Sequence, residues 1–107
     1  MRSSVYRNPK LLKAVASLPC QHCGIEGQTQ ASHANWGSWS GKGMGMKCHD
    51  MYSCALCVSC HAMVDSGKDL AKWEREELWL RAWRKTIYEL FERGLVDVRA
   101  KKTMEEM

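Results

Sequence analysis

The segment Cys57-Val-Ser-Cys60-His61-Ala-Met-Val-Asp65 puts two thiols, an imidazole and a carboxylate into one short run. A Cys-x-x-Cys pair fills two corners of a tetrahedral zinc site. If a helix begins near the second cysteine, His61 and Asp65 lie one turn apart and share a face, because residues i and i+4 stack on a helix. Sulfur suits a structural zinc, whereas the nitrogen and oxygen of the His/Asp pair suit a harder, catalytic cation. The segment therefore predicts two metal sites that meet at one helix start.

The zinc half needs two more thiolates, and Cys20-Gln-His-Cys23-Gly24 supplies them in a second Cys-x-x-Cys turn. Two such pairs roughly thirty residues apart are a strong signature of one tetrahedral zinc, which assigns Cys20, Cys23, Cys57 and Cys60 as ligands. Cys54-Ala-Leu-Cys57 has the same spacing and is the rival register. The later pair is preferred because it leaves His61 at the helix start, with Cys54 as a small buried residue. Cys48 and His22 are read as structural. A thioredoxin-like role for Cys20 and Cys23 lacks the βαβ pattern that such chemistry needs.

Positioning these groups requires a short set of elements. Asn8-Pro9 reads as a helix N-cap followed by proline at the first helical position, and Leu11, Leu12, Val15 and Leu18 recur at helical spacing, giving an N-terminal helix over 9–18. Thr29 to Trp36 reads as a strand carrying His33, and the stretch from Cys48 to Leu56 offers a second short strand. The helix begun by the opening motif ends near Gly67. A long helix capped by Asp69 then runs to about Arg93, where Gly94 stops it. Its apolar stripe is read as Trp73, Leu80, Trp83, Ile87, Leu90 and Phe91. Trp73, Trp79 and Trp83 are assigned to the core or to a dimer seam rather than to base stacking.

The 107 residues suit a single domain, 1–107, with a modest core at about 20–67 that a metal would staple. A net charge of +4 mildly favours a polyanionic partner and fits an ordinary basic surface equally well. Met1-Arg2-Ser3-Ser4 leads into no apolar signal region, and no run is long enough to span a bilayer, so the cysteines are read as cytosolic thiols and metal ligands and no membrane partner is expected. The glycine-rich loop from Gly37 to Lys47 does not match a phosphate-binding Walker pattern. Its glycines serve chain reversal, or they let Lys42 and Lys47 approach a phosphodiester.

Taken in order, the Cys-x-x-Cys turn, the strand histidine, the loop Gly43-Met-Gly-Met-Lys47, Asp50 and Leu56-Cys57-x-x-Cys60-His61-x-x-x-Asp65 resemble the HNH (ββα-metal) endonucleases. Within that superfamily the closest likeness is to the phage and prophage YbcO-like and Ref-like nucleases, over about Cys20 to Asp65. The resemblance implies an α+β fold, a small ββα-metal core with a four-cysteine structural zinc flanked by the two helices. It implies that His33 is the general base, that His61 ligates a catalytic Mg²⁺ or Mn²⁺ (or Zn²⁺ as purified), and that Asp65 is a second helix ligand. Asp50 is taken to complete the active site, with His49 as the alternative orienting residue. Ser32 stands where many members carry a further ligand, and Tyr52 falls near their orienting asparagine. The implied partner is DNA in the cytoplasm of a bacterial host, in phage DNA processing or recombination, with a recombinase and a second copy through the Trp-rich helix as further candidates. The alternative is a non-catalytic, zinc-stabilised DNA-binding module.

Overall fold

A computed structural model describes residues 6–34 and 48–98. Lys42, Lys47, Asn35, Trp36 and the basic tail lie outside the described residues. Among those described, the chain is α+β, with three helices and a two-stranded antiparallel sheet in the order α1 (Pro9–Ala16), β1 (Thr29–His33), β2 (Ser53–Cys57), α2 (Val58–Asp65) and α3 (Lys72–Glu92). None of these helices is long and apolar enough to cross a membrane.

Helix α1 begins as its sequence predicts: the Asn8 side chain accepts the Leu11 amide at 3.1 Å, and Pro9, which has no N–H to satisfy, takes the first helical position. The chain leaves the helix at Ser17, short of the expected 18, and Leu18 packs into the core instead.

The sheet register pairs Thr29 with Cys57 and His33 with Ser53. Side chains alternate along a strand, so Gln30 and Ser32 take one face of β1 while Ala31 and His33 take the other. Both faces of β2 are covered. On one, Cys54 and Leu56 pack with Val64, Trp79 and Ala82; on the other, Ala55 packs with Val15, Leu18 and Leu90. The backbone groups of Ala55 that point away from β1 also find partners, since its N–H donates to Thr86 Oγ1 at 3.0 Å and its carbonyl accepts the Gln21 amide at 2.9 Å. The outer edge of β2 is thereby closed by α3 and by the first cysteine turn, which satisfies groups that burial would otherwise make costly.

Three expectations change. Helix α3 starts at Lys72, not Asp69, because a turn closed by Leu70 N–H on the Gly67 carbonyl occupies the preceding residues. Ala71 holds the cap position, and Glu74 folds back to accept its amide at 2.7 Å, so the first turn is closed without an oxygen-bearing cap residue. The end is as expected, with Gly94 in the left-handed region at φ +71°. Second, the buried stripe of α3 is Trp79, Ala82, Thr86 and Leu90. Trp73 is 71% exposed and Phe91 46% exposed, so both leave the predicted stripe. Trp79 is fully buried and donates Nε1–H to the Ser32 carbonyl at 3.1 Å, which removes it from any dimer seam. Third, α2 begins one residue after Cys57, so the helix starts at the first cysteine of its pair rather than the second.

Candidate functional site

Cys20, Cys23, Cys57 and Cys60 bring their sulfurs within 4.8 Å of one another, the single such cluster of three or more potential ligands among the described residues. Cys23 Sγ and Cys57 Sγ are 3.7 Å apart. In a regular tetrahedron with metal–sulfur bonds of ~2.3 Å the sulfurs are separated by ~3.8 Å, so this spacing is compatible with a zinc thiolate site. Each turn also aims amides at its leading sulfur: Cys20 Sγ accepts from His22 N and Cys23 N at 3.4 Å, and Cys57 Sγ from Cys60 N at 3.5 Å. Gly24 makes the first turn possible, with φ at +86° and its amide on the Cys20 carbonyl at 2.9 Å.

The thiols respond unequally to this crowding. Burial disfavours the Cys20 thiolate, but backbone donors from Cys23, Cys57 and His22 outweigh it and bring the thiol down to about 6. Burial and the neighbouring sulfurs push Cys60 up. Four thiolates cannot share so small a volume without a counter-charge, and a dication supplies it. Cys54 is fully buried outside the cluster, and burial pushes its thiol up, which decides against the rival register.

On the α1 side of β1, His33 Nε2 lies 2.9 Å from Asp50 Oδ1. Asp50 is 2% exposed and collects two further donors, Arg7 Nη1 on the same Oδ1 at 2.8 Å and the Asn8 amide on Oδ2 at 2.7 Å. Burial opposes its ionisation, but the bonds from His33, Asn8 and Arg7, with the guanidinium charge, hold the carboxyl below its ordinary value. An ionised Asp50 only accepts, so His33 Nε2 carries a proton, and Nδ1 is the nitrogen that holds the lone pair in the neutral tautomer. The structure brings His33 and Asp50, the residue expected to complete its site, into direct contact. His49 does not share that role: its Nδ1 accepts the Tyr6 amide at 2.7 Å.

Across β1, the i,i+4 pair on α2 forms as predicted, with His61 Nε2 3.1 Å from Asp65 Oδ2. The other ring nitrogen, Nδ1, lies 2.7 Å from Gln30 Oε1. Two cis ligands of an octahedral cation, each at ~2.1 Å, stand ~3.0 Å apart, so the His61–Asp65 spacing suits one small divalent ion. A ligand histidine characteristically donates its second N–H to a fixed acceptor, and Gln30 is placed to take it. Two side chains leave most of an octahedron to water and substrate oxygens, which is how magnesium is commonly held.

The structure thus brings the candidate residues together as two pairs rather than one cluster. His33 with Asp50 and His61 with Asp65 approach β1 from opposite faces, and Gln30 and His33 are ~10 Å apart along it. Ser32, between them, is buried in the core, and its Oγ has no hydrogen-bond partner among the described residues. Tyr52 gives its carbonyl to the Ala34 amide at 3.1 Å and tilts its ring against Trp83, 5.7 Å between centroids.

The sequence does not announce Arg7, the Asn8 amide or Gln30 as partners of these pairs, although it marks the Asn8 side chain as a helix cap. Nothing local marks the first two, since they reach Asp50 only through the fold. Gln30 carried a faint signal, a polar residue on the strand face that must meet α2.

A family model described as "Protein of unknown function" (DUF968) matches residues 2–94. The chain belongs to the DUF968 family. The match runs from the segment that grips Asp50, through both cysteine pairs, to the end of α3 in this DUF968 protein. No curated protein and no solved structure matches it.

Proposed function

We propose that this protein is a metal-dependent endonuclease of the HNH (ββα-metal) kind that hydrolyses phosphodiester bonds in DNA, in phage or prophage DNA processing or recombination. The observation that carries the reading is the His33–Asp50 pair: a histidine at the end of a strand, its Nε2–H held by a buried carboxylate. That arrangement leaves Nδ1 to take a proton from water, and Asp50 stabilises the imidazolium that forms. His61 and Asp65, at the start of the helix launched by the zinc turn, are the proposed ligands of the catalytic Mg²⁺ or Mn²⁺, oriented by Gln30. When bound, the cation supplies charge stabilisation to the reacting phosphate. Lys42 and Lys47 remain the proposed backbone contacts, and a recombinase the proposed protein partner.

The test is incubation with single-stranded and duplex DNA in Mg²⁺ or Mn²⁺, beside His33→Ala and His61→Ala. Loss of a general base costs about 10²- to 10⁴-fold. Equal cleavage by wild type and His33→Ala removes His33 as the base. One observation favours a second reading: the two pairs approach β1 from opposite faces rather than around one point. A zinc-stabilised module that binds DNA without cutting it predicts salt-sensitive binding and no cleavage in either metal.

A further inference from the structure

Asp50 Oδ1 is a shared acceptor. It receives His33 Nε2 at 2.9 Å and Arg7 Nη1 at 2.8 Å, and Arg7 Nη1 also donates to the Cys48 carbonyl at 2.9 Å. The Asn8 amide holds Oδ2, and the Asp50 amide donates to the Tyr6 carbonyl at 3.0 Å, so residues 6–8 form a strap across the Asp50 turn. The charged and titratable groups facing the carboxylate or gripping its turn are His33 from β1, Arg7 and Tyr6 from the strap, and His49 within the turn. Of these, Arg7 is the permanent cation. Its side chain is 42% exposed while that of Asp50 is 3% exposed, so its charge acts on the carboxylate from the rim of the site.

These contacts set two influences on His33 against each other. A buried carboxylate alone would favour the imidazolium, which cannot accept a proton. A guanidinium on the same oxygen offsets that charge and draws electron density from the His33 hydrogen bond.

We propose that Arg7 is a positioning residue for His33: by sharing Asp50 Oδ1 it fixes the carboxylate on Nε2–H while keeping the imidazole neutral, with Nδ1 left as the accepting nitrogen. This rests on the proposed role of His33 as base, but the protonation of His33 is measured without turnover. A failure to cleave DNA therefore leaves it standing, and a failed measurement leaves the nuclease reading standing.

The experiment is ¹⁵N NMR of the histidine side chains in the zinc-loaded full chain at fixed neutral pH, with His33 assigned by its loss in His33→Ala. It reads the imidazolium-to-imidazole ratio of His33. Arg7→Gln is expected to raise the ratio roughly three- to tenfold, the effect of losing one nearby, partly solvated charge. Arg7→Lys, which keeps the charge, should stay within about twofold of wild type. If Arg7 served only to hold Asp50 in place, Arg7→Gln would loosen the carboxylate and lower the ratio. An unchanged or lowered ratio in folded Arg7→Gln overturns the proposal, as does an Arg7→Lys shift as large as that of Arg7→Gln. Should Arg7→Gln not fold, Asp50→Asn decides: with Arg7 uncompensated the ratio must drop at least threefold, and a ratio at or above wild type refutes the balance.

Discussion

Removing the metal from the four-cysteine site should unfold this domain rather than merely loosen it. The 3.7 Å between the Cys23 and Cys57 sulfurs matches the ~3.8 Å edge of a tetrahedral zinc thiolate, and all four sulfurs lie within 4.8 Å of one another, so the cluster is close to what zinc requires. Structural zinc contributes an apparent ~10–16 kcal/mol at neutral pH, against ~5–15 kcal/mol for the whole stability of a typical domain. Loss of the ion therefore exceeds what this small core can absorb. Cys20, Cys57 and Cys60 also belong to that core, and Cys57 Sγ caps α2 by accepting the Cys60 amide. Without a cation, the buried thiolates must take up protons and the amide-to-sulfur bonds weaken. The assay is thermal unfolding followed by circular dichroism, with and without chelator, beside metal analysis and X-ray absorption. The expected results are one zinc per chain, four sulfurs at about 2.3 Å, and no cooperative transition after chelation or in Cys57→Ser. Cys54→Ser is the control: it buries a hydroxyl at a cost of ~1–3 kcal/mol but keeps the ion. A cooperative melt untouched by chelation would refute the reasoning. Zinc lost in Cys54→Ser yet kept in Cys60→Ser would restore the rival register.

Two further predictions concern groups on either side of the sheet. Thr86→Val keeps shape but strips the Ala55 amide of its acceptor at a fully buried position, and should cost about 1–3 kcal/mol, read from denaturant midpoints. Asp50 has a depressed carboxyl, so its stabilisation is complete above the unfolded carboxylate value and is lost as pH falls through the folded one. The stability gap between wild type and Asp50→Asn should thus be widest near neutrality, about 1–3 kcal/mol, and begin to narrow only as pH falls below the ordinary carboxylate value of about 4. A gap independent of pH would mean that the carboxylate charge is not what Arg7 and Asn8 hold.

The legible parts of this chain were those decided by neighbours in sequence. The Asn8-Pro9 cap, both Cys-x-x-Cys turns, the His61–Asp65 pair and the Gly94 stop each follow from geometry spanning no more than a turn. The α3 stripe was misread because periodicity accepts any large apolar residue. Trp73 and Trp79 both fit a helix, and only the position of β2 decides that Trp79 goes inside while Trp73 stays in solvent. The start of α3 was misplaced because an acidic residue is a good cap in isolation, whereas Glu74 closing on Ala71 is a less conspicuous solution. Arg7 was invisible for a different reason. Its partner Asp50 is more than forty residues away, and no local rule announces a contact across that distance.

The two candidate pairs depend on different anchors. Cys57 is at once the last residue of β2, one of the four clustered cysteines and the cap of α2, so a metal held there would fix the angle at which α2 leaves the sheet. That angle sets where His61 meets Gln30. His33 and Asp50 are held instead by the strap at residues 6–8, which contributes none of the four clustered cysteines. What joins the halves is β1, whose five residues carry Gln30 towards one pair and His33 towards the other. In the proposed nuclease, a phosphodiester would have to lie across the end of this strand, reaching the His61–Asp65 side with one oxygen and the water at His33 with its phosphorus. A rigid β1 is therefore a requirement of the chemistry. On the far side of β2 the Ala55 backbone is held by Thr86 Oγ1 from α3 and by the Gln21 amide from the first cysteine turn, which ties the strand paired with β1 to the cysteine cluster.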